Sequence, residues 1–385
     1  MKKLREGVST GSCMTGGAAA SAIWQTTGRC PDMVEVETPI GKTLYLEVIP
    51  RENRACGIIK DAGDDPDVTH GSEVITHVEI LDENGPISFI GGKGIGRVTQ
   101  EGLKIPPGDW AINPVPRQMT EKALRRIIGD KAAVVTVSIP GGEELARKTF
   151  NPRLGILGGL SVLGTTGIVR PMSEEAMKDS LLAELDMYAN QGFREILFVL
   201  GTTGENALKA MYGDFKCILQ VSNYIGFMIE EAVERGFTGI LIGGFAGKLV
   251  KVASGTMNTH SHVSDGRIET ICTHLALKGA PTELIRRVYD CFTTKSAMEL
   301  VKKEGYERIW TDIAQKASVY CIKTAHEMAE VGIILLDADQ KLLAASENAD
   351  RVLARVLVHV PRAESTDERK NPQDPAEDPE KGENP

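Results

Sequence analysis

Two rhythms of apolar and polar positions run along this chain, and the change between them falls near residue 150. Before it, short β-like runs alternate with loops. Met33 to Thr38 and Thr43 to Ile49 flank Pro39-Ile40-Gly41-Lys42 as a hairpin, and Glu73 to Leu81 and Val134 to Ile139 predict further strands. An alanine-rich helix is predicted from about Cys13 to Thr26, with Ser9, Thr10 and Ser12 as candidate caps. Its small side chains either allow very close packing or leave room for something bulky. The proline pairs at 106–107 and 114–116 predict a rigid loop, with a second helix from Arg117 to Ile128.

After Ser173 the pattern becomes strand, glycine loop, helix. A helix to about Asn190 leads to the buried run Glu195 to Leu200, then Gly201-Thr202-Thr203-Gly204-Glu205-Asn206 and another helix. Cys217 to Val221 with a helix over Ser222 to Arg235, and Phe237 to Gly243 with the loop Gly243 to Lys248, repeat the unit. Such repetition predicts parallel strands with right-handed crossovers and a ligand beyond their carboxyl ends. From Glu269 to about Ala329 the chain reads as helical, and Gly332 to Leu336 with Leu342 to Ala345 as a closing hairpin. The fold class expected is α/β with an α+β N-terminal part, in two domains, the second a mainly parallel sheet flanked by helices. The expected boundaries are 1–150 for the first domain, 151–361 for the second and 362–385 for a tail.

Between the rhythms lies Asn151 to Pro171, NPRLGILGGLSVLGTTGIVRP, with five glycines and two charged residues, both arginines. Free amides beside Arg170 would suit an anion. A buried crossover strand that needs small residues is the other reading, and this stretch alone leaves both open.

Composition narrows the class. Apolar content of 42% with 25% charged residues, over 385 residues, is that of a globular protein with a sizeable core. No apolar run has the length of a membrane span and no signal-peptide pattern opens the chain, so a cytoplasmic protein is expected. Seven scattered cysteines, without a CxxC pair, fit reduced thiols rather than a disulfide framework or structural zinc. A formal charge of −9 argues against nucleic acid as partner. The segment Arg362 to Pro385 carries four basic and eight acidic residues and almost no large apolar ones, so it is expected to be disordered.

Candidate chemistry concentrates in a few loops. Lys60 to Gly71, KDAGDDPDVTHG, gathers Asp61, Asp64, Asp65, Asp67 and His70 within ten positions. A hard-cation site, proton transfer by an aspartate or His70, and a plain Asx-type turn are the alternatives. Four like charges repel, which favours a site. Glycines 91 to 96 follow a strand but run into extended sequence, unlike a dinucleotide fingerprint, and the loop before Lys248 lacks the hydroxyl of a P-loop. Met257-Asn258-Thr259-His260-Ser261-His262 offers His260 for hydrogen bonding or acid–base work; with no third ligand in view, no protein-bound metal is expected.

The set KDAGDDPDVTHG, GIGRVTQEGLKIPPGDWAINPVPR, NPRLGILGGLSVLGTTGIVRPMS, SNYIGFMIEEAVERGF and GKLVKVASGTMNTHS resembles the CbiD family, from about Leu4 to Ala345. The resemblance implies an S-adenosylmethionine-dependent C-methyltransferase of anaerobic cobalamin biosynthesis. It would methylate ring carbon 1 of cobalt-precorrin-5B to give cobalt-precorrin-6A, with the cobalt arriving in the tetrapyrrole substrate. This chain has STGSCMT where the family has a TTGTCAA-like start, and Gly243-Gly244-Phe245-Ala246 where a histidine commonly precedes GKLVK.

On this reading Gly164, Thr165, Thr166, Gly167, Gly201, Thr202, Thr203, Gly204, Gly243 and Gly244 are the expected contacts for the S-adenosylmethionine donor. Arginine forks suit the peripheral carboxylates of the macrocycle. Arg97, Arg117, Arg153 and Arg170 with Lys248 and Lys251, and the polar Thr10, Asn113, Asn151 and Asn258, are the expected substrate contacts. Asp61, Asp64, Asp65, His70 and His260 are the expected proton-handling groups. Rival expectations are a nucleotide- or nicotinamide-dependent oxidoreductase and a non-catalytic tetrapyrrole carrier. Neither a membrane nor a nucleic acid is an expected partner, and a homo-oligomer is an expected form.

Overall fold

A computed structural model describes residues 4–171 and 173–358. The tail expected over 362–385, and the last residues of the expected second domain, lie outside them. Among the described residues the strands form two five-stranded sheets, one from each part of the sequence, and three two-stranded ladders.

In the first sheet Ile49–Pro50, Cys56–Ile59, Glu73–Asn84, Lys131–Ser138 and Ile87–Gly91 lie in that order. All neighbours are antiparallel except the last pair. Val74, Thr76 and Val78 alternate onto the buried face, as expected of a sheet with one face on a core. The helices Thr10–Thr27 and Pro114–Ile128 cover that face, packing Ala18, Ala22, Leu124 and Ile128 against Val78, Ala133 and Val135. A Cβ at Gly17 would stand 2.9 Å from Thr76 Oγ1 and 3.0 Å from the Cys56 carbonyl oxygen. The small residues of the first helix therefore serve close packing. That helix starts three residues before the expected Cys13, because the Ser9 hydroxyl accepts the Ser12 N–H at 3.1 Å. The second helix starts at Pro114 rather than Arg117; Pro114 and Pro116 occupy its first turn, where no N–H is needed.

The second sheet has the order Ile218–Gln220, Glu195–Val199, Gly239–Phe245, Glu330–Leu336, Leu342–Ala345. The first four strands are parallel and the last is antiparallel. Helices Thr202–Tyr212 and Ala349–Val358 pack on one face. Glu174–Asn190, Ile225–Glu234, Ala246–Val252 and Ile309–Thr324 pack on the other, with Arg267–Leu277, Thr282–Tyr289 and Thr294–Lys303 in the same core. With both faces covered, strand Glu195–Val199 is buried at every residue. The mixed α/β class with a mainly parallel second sheet is as expected. The third parallel strand runs two residues further than the expected end at Gly243, so Gly244 and Phe245 belong to it rather than to a loop.

After Glu195–Val199 the chain moves outward to Ile218–Gln220 and then returns past it to Gly239–Phe245. The two connections leave in opposite directions, so a topological switch point lies between the first and third parallel strands. Crevices at such points are where doubly wound sheets hold ligands.

The glycine-rich stretch joins the first sheet's layer. Ile156–Leu157 pairs with Arg97–Val98, and Ile168–Val169 with Gly7–Val8, both antiparallel. It is thus crossover structure, although Arg153 and Leu154 reach the second core.

Candidate functional site

The switch point opens into a cleft of about 360 Å³. Leu200 to Gly204 line one side; Gly244, Phe245, Gly247 and Lys248 line the other, with Arg267 at its edge. Gly201 (φ 152°, ψ 167°) turns the strand into the helix Thr202–Tyr212 through a conformation open to glycine alone. No side chain caps that helix, so its first N–H groups are available to an anion. A Cβ at Gly204 would meet Gly244 Cα at 3.8 Å, which leaves the two sides separated by backbone alone. The Lys248 Nζ leans across to the Leu200 carbonyl, 3.4 Å away. Burial, and then Lys251, hold its pKa below the ordinary lysine value.

Glu205 fixes the first turn of this helix from behind. It is 5% exposed and accepts from Lys209 Nζ (2.7 Å), Gln220 Nε2 (2.6 Å) and an Arg153 guanidinium nitrogen (3.0 Å). Burial alone would raise its carboxyl; those hydrogen bonds outweigh it and hold the pKa below its ordinary value.

Beside the cleft, Lys251 is 4% exposed and donates to the carbonyls of Thr259 (3.2 Å) and Ser264 (2.7 Å). It stands 4.0 Å from Asp265, which pairs with Arg267. Lys251 therefore secures the segment that carries Asn258 and His260 instead of gripping substrate directly. Asn258 Oδ1 accepts the His260 N–H (3.1 Å), and His260 Nδ1 accepts the His262 N–H (3.2 Å).

Gly201, Thr202, Thr203, Gly204, Gly244 and Lys248 are thus the expected residues that meet at this cleft. Gly243 is set aside for packing: a Cβ there would stand 2.3 Å from Leu208 Cδ1. Gly164, Thr165, Thr166 and Gly167 are elsewhere, against the N-terminus of the first helix. The Leu163 carbonyl takes the Gly11 N–H (3.0 Å), and the Gly167 carbonyl takes the Ser9 N–H (3.2 Å) and the Ser12 hydroxyl (2.6 Å). These contacts use the donors an anion would need there, so this loop does not belong with the strand-end glycines.

Around the same helix end lie Thr10 and the aspartate loop. Thr10 Oγ1 accepts the Leu163 N–H at 3.0 Å, and the Asp61 carbonyl accepts the Val8 N–H at 2.7 Å. Arg5 forks onto Asp61, chiefly through hydrogen bonding, and holds its pKa at about 2; its backbone N–H goes to Asp64 (2.7 Å). Asp65 sits in the same turn, its N–H 3.4 Å from the Ala62 carbonyl. Asp67 pairs with the buried Lys60, which outweighs the effect of burial and lowers its pKa. Arg170 is half exposed, 3.6 Å from Glu6.

A further group adjoins through the Asn113 N–H, given to the Val162 carbonyl at 3.0 Å. Here Arg97 lies 3.9 Å over the Trp110 ring. Arg117 donates to the Ile112 carbonyl (2.8 Å) and stands 3.6 Å from Asp109. Asn151 is 5% exposed and spent within its own loop, on the Gly159 carbonyl (3.1 Å) and the Ser161 hydroxyl (3.2 Å). Arg153 is spent on Glu205.

The two expected histidine bases share one feature. His70 Nδ1 accepts the Ala62 N–H (3.1 Å), as His260 Nδ1 accepts that of His262. When neutral, each then carries its proton on Nε2 and presents a donor outward. With Asp61 tied to Arg5, these three serve hydrogen bonding better than proton abstraction.

Models of CbiD and of the CbiD C-terminal domain match residues 1–171 and 258–347. A relative from Alkaliphilus metalliredigens (strain QYMF), named cobalt-precorrin-5B C(1)-methyltransferase, is 43% identical over 91% of this chain and 95% of its own length.

The chain belongs to the CbiD family.

A relative of the same name from Salmonella typhimurium is 41% identical over 91% of this chain and 95% of its own. A crystal structure of the cobalamin biosynthesis protein CbiD from Archaeoglobus fulgidus is 25% identical, covers 72% of this chain and 85% of that one, and has a TM-score of 0.36. In this CbiD chain the first family match ends at residue 171, where the glycine-rich stretch ends. The second begins at residue 258, within the segment secured by Lys251. Sequence reasoning missed Arg267 as a cleft residue, although Asp265-Gly266-Arg267 at a helix start is a cue for a local ion pair. It also missed Glu205, whose partners Arg153 and Gln220 are remote in sequence.

Proposed function

We propose that this protein transfers the methyl group of S-adenosylmethionine to ring carbon 1 of cobalt-precorrin-5B, giving cobalt-precorrin-6A in cobalamin biosynthesis. The observation that carries the reading is the shared name of relatives at 41 and 43% identity, aligned over nine-tenths of both chains. The switch-point cleft supports it as the donor site. First-turn amides of Thr202–Tyr212 and Lys248 suit the donor's carboxylate, and bare glycine backbone suits its flat nucleoside. The donor supplies an electrophilic methyl, so the protein's task is alignment and exclusion of water rather than covalent catalysis.

The macrocycle's carboxylates call for planar cations. Arg97 on Trp110, Arg117 above Phe89 and the half-exposed Arg170 are suited to them, with the Nε2 sides of His70 and His260 as further hydrogen-bond donors. The cobalt belongs to the substrate. We place the division between the two domains near Pro171 rather than at residue 150, since the stretch 151–171 pairs with the first layer. Incubation of cobalt-precorrin-5B with isotopically labelled donor should give a corrinoid that has gained one labelled methyl by mass spectrometry. Binding of both ligands without that gain would identify a carrier and defeat the proposal.

A further inference from the structure

One buried carboxyl is left without a role. Glu184, in the helix Glu174–Asn190, is 2% exposed, and among the described residues no side-chain hydrogen bond or ion pair holds its carboxyl. A lone buried carboxyl is costly to ionise. Its electrostatic neighbours are Arg153, which arrives from the first layer, and Glu205, in the first turn of the cleft-lining helix. Tyr188 and Cys217 face it as well, and Lys209 holds Glu205 from the far side. The Arg153 guanidinium contacts Glu205 at 3.0 Å and acts on Glu184 through space, so one cation faces two carboxyls where the layers meet, and one of those carboxyls secures the cleft.

We propose that Glu184 is a positioning residue whose proton decides how firmly Arg153 holds Glu205, and through it the donor-binding end of Thr202–Tyr212. When Glu184 is neutral, Arg153 serves Glu205 alone. When it ionises, it repels Glu205 and competes for the same guanidinium, and the first turn loosens. Burial, offset by Arg153 and reinforced by Glu205, raises the carboxyl to about 7, so the change falls within the working pH range. The sign follows from the raised value. Between the unfolded value near 4.5 and the folded value near 7, the folded chain keeps a proton that the unfolded chain releases. The stability this contributes is fully present below that window and is lost as pH rises through 7.

The proposal rests on the cleft being the donor site, and the test separates the two ideas. S-adenosylhomocysteine is titrated by calorimetry into wild type and Glu184→Gln at pH 6 and pH 8. The variant experiences the ligand's own titration, so the difference isolates Glu184. Wild type should bind about fivefold more weakly at pH 8 than at pH 6 relative to the variant, the lower end of ordinary coupling between sites. In parallel, hydrogen exchange at pH 8 without ligand should show Thr203 to Leu208 less protected in wild type than in the variant. Thermal unfolding should show wild type losing stability relative to the variant between pH 5 and pH 8. Equal protection, or an unchanged stability difference, overturns the role of Glu184 whatever the ligand does. Absence of binding at every pH, with the exchange difference present, defeats the donor-site reading and leaves the joint standing.

Discussion

Gly204 is the position where stability and ligand binding should part company. It is the third residue of the helix Thr202–Tyr212 and has an ordinary helical conformation, so alanine there meets no backbone strain. The new Cβ would meet Gly244 Cα at 3.8 Å, ordinary contact, so the fold has space for it. Replacing glycine by alanine in a helix stabilises it by up to about 1 kcal/mol. The melting temperature should then hold or rise by roughly 2 °C. The methyl, however, enters the gap between the two sides of the cleft, where a donor would rest on bare backbone. Overpacking of about 1–3 kcal/mol corresponds to roughly a 5- to 150-fold loss of affinity. The assay is calorimetric titration of S-adenosylhomocysteine into wild type and Gly204→Ala, with thermal unfolding of both. Gly243→Ala is the contrasting control, since its Cβ would stand 2.3 Å from Leu208 Cδ1 and should lower stability directly. Unchanged affinity in a fully folded Gly204→Ala protein would refute the placement of the donor.

Two further outcomes follow from burial. Of the seven thiols, Cys30 and Cys291 are half-buried while Cys13, Cys56, Cys217, Cys272 and Cys321 are buried, and burial pushes Cys13, Cys56 and Cys321 up to about 12. Alkylation of the native protein at pH 8 should therefore modify Cys30 and Cys291 first, read by peptide mass mapping, and rapid labelling of Cys13 would contradict the packing of the first helix. Lys251→Met should leave the Thr259 and Ser264 carbonyls unpaired and cost about 2 kcal/mol, with faster hydrogen exchange over residues 257–265; unchanged exchange there would show that Lys251 does not anchor the segment.

Local pattern carried much of the fold, and long-range pairing carried most of what it missed. The run Glu195 to Leu200 announced a buried parallel strand because both of its faces meet helices, and every residue of Glu195–Val199 is buried. The loop after it was legible as the wall of a cleft, because a glycine-rich strand end before a helix opens the crevice of such sheets. Gly164 to Gly167 carried the same local signal and went elsewhere. Nothing within four residues says that Leu163 and Gly167 meet Gly11, Ser9 and Ser12, more than 150 positions away. The charged residues were hardest for the same reason. Asn151 and Arg153 are chemically suited to a substrate, but Asn151 is spent on its own loop and Arg153 on a carboxylate 52 positions on. The proline-rich segment before Arg117 misled in a simpler way, since two prolines that forbid a helix interior are at home in a first turn.

How the two layers meet bears on the chemistry. A methyl displacement depends on alignment within fractions of an ångström, and the proposed donor cleft lies on the second layer while Arg97, Arg117 and Arg170 lie on the first. The joint between them therefore has to be stiff. Leu103 and Leu154 pack at once against the small cluster of Val98, Ile105, Ala111 and Ile156 and against the second core, so they belong to both. Around them Asn190 Nδ2 donates to the Gly102 carbonyl (2.8 Å) and Gln191 Nε2 to that of Glu101 (3.1 Å). A Cβ at Gly102 would stand 2.6 Å from the Met187 carbonyl oxygen, so the backbones are already as close as they can come. All three contacts fall on or just beyond the C-terminal end of the helix that carries Glu184, and Arg153 to Glu205 completes the joint beside the cleft. A hinge would show few apolar contacts and a generous gap; this joint shares apolar side chains and leaves no room for a methyl group. Within this joint Arg153 is a charged contact to the cleft-lining helix, and on the proposal above a change in charge at Glu184 would reach the helix end through it.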